Sequence, residues 1–280
     1  LQTFILLVEF ASWAHRRIAK DALCMASQLA VLIREAGVSE SDEATQDIEW
    51  ESWVAIEERR RTLFAGYLLF NLHSIVFDTH PLILNYEIGL YLPDYAAQWR
   101  ATNAEQWKQG PRQPECGFQD GLRRLFSETE SRREPNLSSF ANYLLMQGII
   151  QEMYRECPIF TNTTARSDRD RRFETALRTW QLGWETMEES SHDSDLDPLY
   201  AKGPLALTGD ALLRLAYIRL SSGHKLSKTL LLSRDAQRML RKPKPLARSQ
   251  QVNRAVMHAA HSLSVPVRLG ITLMTTTKEL

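Results

Sequence analysis

An all-α fold, an irregular multi-helix bundle of antiparallel helix pairs, is the architecture the sequence predicts, on three observations. Leucine outnumbers valine 39 to 9, and β-branched side chains are the ones that lose rotamer freedom against a preceding helical turn. Apolar residues recur at three- and four-residue spacing along most of the chain, which gathers them on one face of a helix but scatters them over both faces of a strand. Residues 82–93 alternate instead, yet the segment is a dozen positions long with no visible partner, so it reads as extended chain laid over the bundle rather than as a strand. With 280 residues, 44% of them apolar, there is ample material for a core. The chain is read as a single helical domain over 1–280, with the acidic stretch 189–203 as the place where two subdomains would divide.

The first helix is expected to run to about Ala14 with Phe4, Leu7, Val8 and Ala11 inward. The second covers 19–36 with Ala22, Ala26, Leu29, Ala30 and Ile33 inward. Gly37 supplies the stop, because glycine enters the left-handed conformation without a Cβ clash, and the two helices are expected to pair antiparallel. The sequence opens on Leu rather than Met and already inside a helical pattern, so it is expected to be part of a longer protein. The opening apolar run leads straight into Trp13, His15, Arg16 and Arg17 without a small-residue cleavage site, unlike a signal peptide.

After a polar loop over 39–46 comes the longest patterned segment, 47–72. At about 100° per residue, Trp53, Ile56, Leu63, Phe64, Tyr67, Leu68 and Phe70 share one broad face. Asp47 is placed to cap this helix, Glu49 and Glu51 sit beside the positive end of its dipole, and His80-Pro81 ends the run, since proline disfavours helix in the residue before it. Arg60 lies about 20° from Trp53 and so projects at the centre of the apolar face, with Glu57 at its edge and Glu58 opposite. A structural ion pair between Glu57 and Arg60 inside the packing interface is predicted. A ligand contact is the alternative.

Trp50, Trp53, Glu57, the run Arg59, Arg60 and Arg61, residues 63–72, then Phe77-Asp78-Thr79-His80-Pro81, Leu90-Tyr91-Leu92-Pro93 and Trp99 together resemble the fungal-specific transcription factor domain, the regulatory middle region of fungal zinc-cluster and zinc-finger transcription factors. The runs Leu-Leu-Arg-Leu-Ala-Tyr-Ile-Arg-Leu at 212–220 and Ser-Val-Pro-Val-Arg-Leu-Gly at 264–270 resemble members whose fingers use two cysteines and two histidines. Each matching piece is a helical packing pattern with no chemistry attached. The resemblance therefore makes Trp50, Trp53, Glu57, Arg59, Arg60, Arg61, Pro81, Pro93 and Trp99 a structural signature and leaves the ligand-binding residues unmarked. It implies a nuclear regulatory domain of a factor controlling transcription by RNA polymerase II, with the DNA-binding zinc module outside this chain. Zinc is expected only in that module, and no cofactor here. The partners implied are proteins of the transcription machinery or a second copy, and a small-molecule inducer.

Further along, Trp99 and Trp107 are expected on one short helix as packing residues, residues 111–114 break the chain, and 121–128 form a short helix before a charged loop at 131–138. Ser138 or Ser139 opens a helix with Phe140, Tyr143, Leu144, Ile150, Met153 and Tyr154 inward, ended by Pro158. Residues 161–170 read as a polar mobile segment. Phe173, Leu177, Trp180, Trp184 and Met187 form a coiled-coil-like stripe, read as core rather than as an interaction face. Thr208 is the expected cap of a helix over 210–220, proposed as the most buried. A helix over 226–240, a turn at 242–245, a helix with Val252, Val256, Ala259, Ala260 and Leu263 inward, and a new element from 265 complete the reading.

Lys plus Arg equals Asp plus Glu, 34 against 34, so no global field draws the chain to nucleic acid or to an anionic membrane. The run 59–61 fans around a helix axis rather than making one basic face. Cys24, Cys116 and Cys157 lack paired spacing, which argues against a disulfide framework or a zinc ribbon. No phosphate-binding glycine loop, GxSxG elbow or HExxH pair occurs. His258 and His261 are expected on the polar side of their helix without further ligands. Asp193, Asp195 and Asp197 mimic a calcium loop, but Pro198 and Pro204 stand where its glycine and glutamate belong. No uninterrupted apolar run is long enough to span a membrane. The expectation is a regulatory domain and not an enzyme; the alternative is an all-α enzyme holding a lipid or isoprenoid in an aromatic-lined cavity.

Overall fold

The computed structural model describes residues 1–13, 16–42, 48–127, 136–156, 163–187, 204–222 and 250–269. The expectations for Asp47, the end of the short helix at 128, the 131–135 part of the charged loop, Cys157, Pro158, the acidic aspartates, the 189–203 division and everything over 226–245 lie outside these residues. The helices are α1 (Gln2–Trp13), α2 (Arg16–Glu35), α3 (Trp50–Phe77), α4 (Ala96–Trp99), α5 (Ala104–Gln109), α6 (Phe118–Leu125), α7 (Ser139–Arg155), α8 (Thr163–Glu185), α9 (Pro204–Ser222) and α10 (Gln250–Leu269), with one 3-10 turn at Asn85–Glu87. Among the described residues no strand forms, and the all-α expectation holds.

α1 and α2 pack on each other and on α3; α3 packs on α7; α6, α8 and α9 surround α7; and α10 lies on α9. On α1 the inward residues are Ile5, Val8 and Ala11, while Leu7 is exposed, so the face is turned by about half a helical step from the expected one. α2 buries Ala22, Ala26, Leu29, Ala30 and Ile33 as expected. Gly37 stops it at φ 84°. α3 opens after Glu49, whose side chain makes no cap bond, and closes earlier than His80: Phe77 is its last residue and Asp78 takes the left-handed conformation, φ 51° and ψ 37°. The Tyr154 hydroxyl donates to the freed Asp78 carbonyl at 3.2 Å, a bond from α7 that no local pattern announces.

The most buried helix is α7 rather than the 210–220 segment. Every residue from Ala141 to Gln151 is buried, because neighbours cover it on all sides, which is the situation of a helix without a polar face. Ser138 caps it, its hydroxyl accepting from the Ala141 amide at 3.1 Å and donating to the Pro93 carbonyl at 2.7 Å. Leu212, Leu213, Ala216 and Leu220 of α9 are buried, but Arg214, Leu215 and Tyr217 are only half so. α9 begins at Pro204, since a proline in the first turn withholds an amide the helix would leave unbonded anyway. Thr208 therefore lies inside it and bonds its hydroxyl back to the Leu205 carbonyl at 3.0 Å.

The stripe Phe173, Leu177, Trp180, Trp184 and Met187 is core, with Trp180 and Trp184 stacked at 5.0 Å. The polar segment before it is helical from Thr163, because arginine-rich sequence is a good helix former when solvent takes its charges. Trp99 and Trp107 end up on two helices, α4 and α5; the Asn103 side chain starts the second by accepting from the Gln106 amide at 2.9 Å. α6 starts at Phe118, three residues before the expected Gly121. α10 buries Ala255 and exposes Val256, and it continues through Val265 to Leu269 with no new element there.

Residues 82–93 lie extended over the bundle except for the 3-10 turn, with Ile83, Ile88, Leu90 and Leu92 buried. Their partner is the stretch before α6: the Leu92 amide donates to the Cys116 carbonyl at 2.8 Å and the Phe118 amide to the Leu90 carbonyl at 3.0 Å, around an isolated antiparallel bridge between Tyr91 and Gly117. Gly89 lets this chain approach the end of α2, where its amide donates to the Val38 carbonyl at 2.9 Å and an added Cβ would collide with the Ser39 backbone.

Candidate functional site

Successive arginines on a helix point about 100° apart, and the run 59–61 uses this to fasten three different segments to α3. Arg59 donates from Nε to the Ala36 carbonyl at 3.2 Å and from Nη2 to the Gly37 carbonyl at 2.8 Å, binding the C-terminus of α2, where a cation also meets the negative end of the dipole. Arg60 pairs from Nε with Asp42 Oδ2 at 2.9 Å and from Nη1 with Glu57 Oε2 at 3.0 Å. Arg61 pairs from Nε with Glu57 Oε1 at 2.7 Å, donates from Nη2 to the Asp94 carbonyl at 2.7 Å, and lays its guanidinium over the rings of Trp99 and Phe140.

Two carboxylates hold this cluster together. Glu57 is fully buried; besides both arginines its Oε1 accepts the Asp94 amide at 3.0 Å. Asp42 reaches in from the loop after α2, and its Oδ1 accepts the Tyr91 amide at 2.7 Å. The predicted Glu57–Arg60 pair is thus present, as part of a larger set that ties the loops at 42 and 91–94 to α3. Glu58 is exposed and accepts from the Gln2 amide nitrogen at 2.9 Å.

A cavity of about 470 Å³ opens beside this cluster, lined by Ile48, Trp53, Arg60, Tyr91, Leu92, Asp94, Arg112, Gln113, Pro114 and Glu115. Its aromatic wall is backed by Trp107, 5.6 Å from Trp53, with Arg112 lying over the Trp107 ring at 4.3 Å. Asp94 Oδ1 accepts the Tyr95 amide at 2.7 Å and the Gln113 amide at 3.0 Å; burial still pushes its carboxyl above the ordinary value against those two bonds.

Of the signature residues, Trp53, Glu57, Arg60 and Arg61 gather at this end of α3, and Pro93, which is buried, and Trp99, which is exposed, join them. Trp50 is half-buried at the start of the helix, Arg59 faces α2, and Pro81 stands apart beyond the other end of α3. Asp42, Asp94, Arg112 and Gln113 carried no motif; all four come from loops, where periodicity is silent. The histidines fall elsewhere: His258 is not on a polar side but half-buried and stacked on Tyr217 at 4.7 Å, which lowers its pKa through burial. Cys24 and Cys116 are free thiols. Among the described residues, no group of three or more His, Cys, Asp or Glu could hold a metal ion, and no helix is long and apolar enough to cross a membrane.

Farther along α3 a second polar network is neutral at its centre. The Tyr67 hydroxyl donates to Asn85 Oδ1 at 2.7 Å; Asn85 Nδ2 donates to the Gly148 carbonyl and to Glu152 Oε1, both at 2.9 Å. Gln151 Oε1 accepts the Asn85 amide at 2.7 Å, while its Nε2 donates to Asn71 Oδ1 at 2.7 Å and to the Ile83 carbonyl at 3.0 Å. Gln119 closes the other side of the turn through the Asn85 and Ile88 carbonyls.

The fungal specific transcription factor domain family matches residues 10–181, which include both networks and the whole cavity. A fungal transcription factor C-terminal domain matches residues 224–280. A curated relative, the nicotinate catabolism cluster-specific transcription factor of Emericella nidulans, is 24% identical over 172 residues, a region covering 61% of this chain and 19% of that protein. No solved structure matches. With the matched region spanning more than half of the chain, this protein belongs to the fungal-specific transcription factor domain family.

Proposed function

We propose that this chain is the regulatory and interaction region of a fungal transcription factor acting on RNA polymerase II genes in the nucleus. The DNA-binding zinc module then lies elsewhere in the full-length protein, and this region holds no metal of its own. The observation that carries the reading is the position of the cavity: its floor is Arg60 and its wall Trp53, both on the helix that bears the family signature, and Arg60 is ion-paired to the loop at Asp42. A small-molecule inducer seated there would touch residues that fasten three segments together, so occupancy would favour one arrangement of those segments by its differential affinity. The partners that read the change are proteins of the transcription machinery or a second copy of the chain. The match to a family of transcription factors supports this reading over a lipid or isoprenoid enzyme.

The test is to fuse the chain between a heterologous DNA-binding module and an activation segment and to read a reporter in a fungal host. Reporter output should differ at least about fivefold, the lower range of allosteric coupling, from a fusion lacking the chain, and Trp53→Ala should move it toward the chain-free value. Equal output from all three fusions at equal protein level would overturn the reading.

A further inference from the structure

We propose that the cavity beside the arginine cluster binds a small zwitterion with an apolar or flat side chain, of the α-amino acid class. This rests on the reading of the chain as a regulatory domain that receives an effector. Two cationic and two anionic side chains line the cavity: Arg60 and Arg112, Asp94 and Glu115. They are not ion-paired with one another. Arg60 pairs with Asp42 and Glu57, outside the lining set; Arg112 lies over Trp107; and among the described residues Arg112, Asp94 and Glu115 form no ion pair with each other. A ligand of one sign would meet attraction from one pair and repulsion from the other, whereas a ligand carrying both signs meets partners at both ends.

Hydrogen-bonding capacity points the same way. Arg60 is only 5% exposed; Nε, Nη1 and Nη2 each make a bond to Asp42 or Glu57, and further N–H donors remain on Nη1 and Nη2, suited to a carboxylate. On Asp94 the two backbone amides both go to Oδ1, which leaves Oδ2 to accept from an ammonium. Relief of that carboxyl's desolvation would accompany the contact. Ile48, Trp53, Leu92 and Pro114 provide the surface for the side chain. At about 470 Å³ the space falls within the range of about 300–1,000 Å³ typical of small-molecule sites.

Isothermal titration of the purified chain at neutral pH tests this with four probes: L-phenylalanine, L-leucine, phenethylamine, which lacks the carboxylate, and 3-phenylpropionate, which lacks the ammonium. One equivalent of L-phenylalanine or L-leucine should bind, with phenethylamine and 3-phenylpropionate at least about tenfold weaker than L-phenylalanine, since each leaves a charged partner unmet. Asp94→Asn should remove the gap between L-phenylalanine and 3-phenylpropionate, and Arg112→Gln, which takes away the second of the two lining cations and leaves Arg60, should narrow the gap between L-phenylalanine and phenethylamine. Arg112 is exposed, so its substitution leaves folding intact, and Asn at 94 retains an acceptor for the Tyr95 and Gln113 amides. The proposal falls if neither amino acid binds, if either analogue binds as tightly as L-phenylalanine, or if both variants bind like the parent. A reporter that ignores removal of the chain while titration succeeds would instead overturn the regulatory reading alone.

Discussion

Along its first three turns α3 is fastened to its neighbours by charges, Glu57 and the arginines 59–61. Two turns later the fastening groups are neutral: the Tyr67 hydroxyl, the Asn71 amide and the His73 imidazole. The charged region borders the cavity and the loops at 42 and 94, and Arg59 and Arg61 keep 34% and 19% of their side chains in solvent. The neutral region is wrapped by α1, α7 and the turn at Asn85. Burying a charge costs several kcal/mol after relaxation, far more than burying an amide that keeps its hydrogen bonds, so charge is placed where water or a ligand can still reach part of the cluster. Glu57 is the exception: it is fully buried, and two arginines and a backbone amide hold its two oxygens.

Removing one member of the charged set should therefore do the most damage. Arg60→Ala leaves the buried Asp42 carboxylate without a cation and Glu57 with Arg61 alone, a situation that typically costs about 3–5 kcal/mol, and thermal melting should show a larger drop than for any other single substitution on this helix. Neutralising the carboxylate that Arg60 alone pairs with, Asp42→Asn together with Arg60→Met, should recover part of the loss, because Glu57 keeps Arg61 and no carboxylate is then left without a cation. If Arg60→Ala melts like the parent, charge is not what fastens this end of the helix.

The neutral region can be given a charge by lowering the pH. His73 is 3% exposed, its Nε2 is 2.8 Å from the Ser12 hydroxyl and its ring lies 5.6 Å from Phe77. Burial lowers its pKa to about 4, against 6.5 for the unperturbed group. Between those values the unfolded chain binds the proton and the folded chain does not, so stability rises with pH there. The contribution is complete above about pH 6.5 and lost as pH falls toward about 4, on the order of 3 kcal/mol in all. Urea unfolding of the parent and of His73→Gln at pH 7 and pH 5 isolates it: the parent should lose more stability than the variant over that interval. Parallel losses would mean that the imidazole accepts its proton in place.

A smaller effect is expected where the network is neutral and stays so. Asn85→Ala removes the partner of the Tyr67 hydroxyl and leaves it buried, an unsatisfied-group cost of about 1–3 kcal/mol. The loss should be the same at pH 7 and pH 5, unlike that of His73. The Tyr67 phenol itself is pushed well above its ordinary value by burial, so it remains a donor at any pH compatible with folding.

How far this contrast was legible beforehand follows from the period of a helix. The angle between Trp53 and Arg60 placed a guanidinium in the apolar face before any coordinates, and Glu57 beside it, because both sit on one regular element. Asp42, Asp94 and Asn85 complete the two networks from loops, where spacing carries no direction. The cavity was illegible for the same reason, since residues 48, 53, 60, 91 and 112 meet only after folding. Val256 marks a further limit: the spacing of 252, 256, 259, 260 and 263 defines an apolar stripe, yet packing against α9 buries Ala255 and leaves Val256 exposed. The helical start of α8 is not legible in the sequence, because a charged first half looks like a loop when no apolar stripe runs through it.

The three consecutive charged positions 58, 59 and 60 provide the finest test of the comparison, because composition is nearly constant while direction changes. Arg60→Ala is the large effect argued above. Arg59→Ala loses bonds to the Ala36 and Gly37 carbonyls at a surface where water can replace them, so about 1 kcal/mol is expected, as for a helix cap. That is more than its exposed ion pair with Glu40 would provide. Glu58→Ala removes a solvent-facing carboxylate whose described bond is to Gln2, and should stay within about 0.5 kcal/mol of the parent. Thermal melts of the three variants should therefore rank Arg60, Arg59, Glu58. Equal shifts would mean that the direction of a side chain around α3 does not decide its energetic role, and the arginine run would then have to be regarded as a surface for a partner rather than as the fastening of the fold.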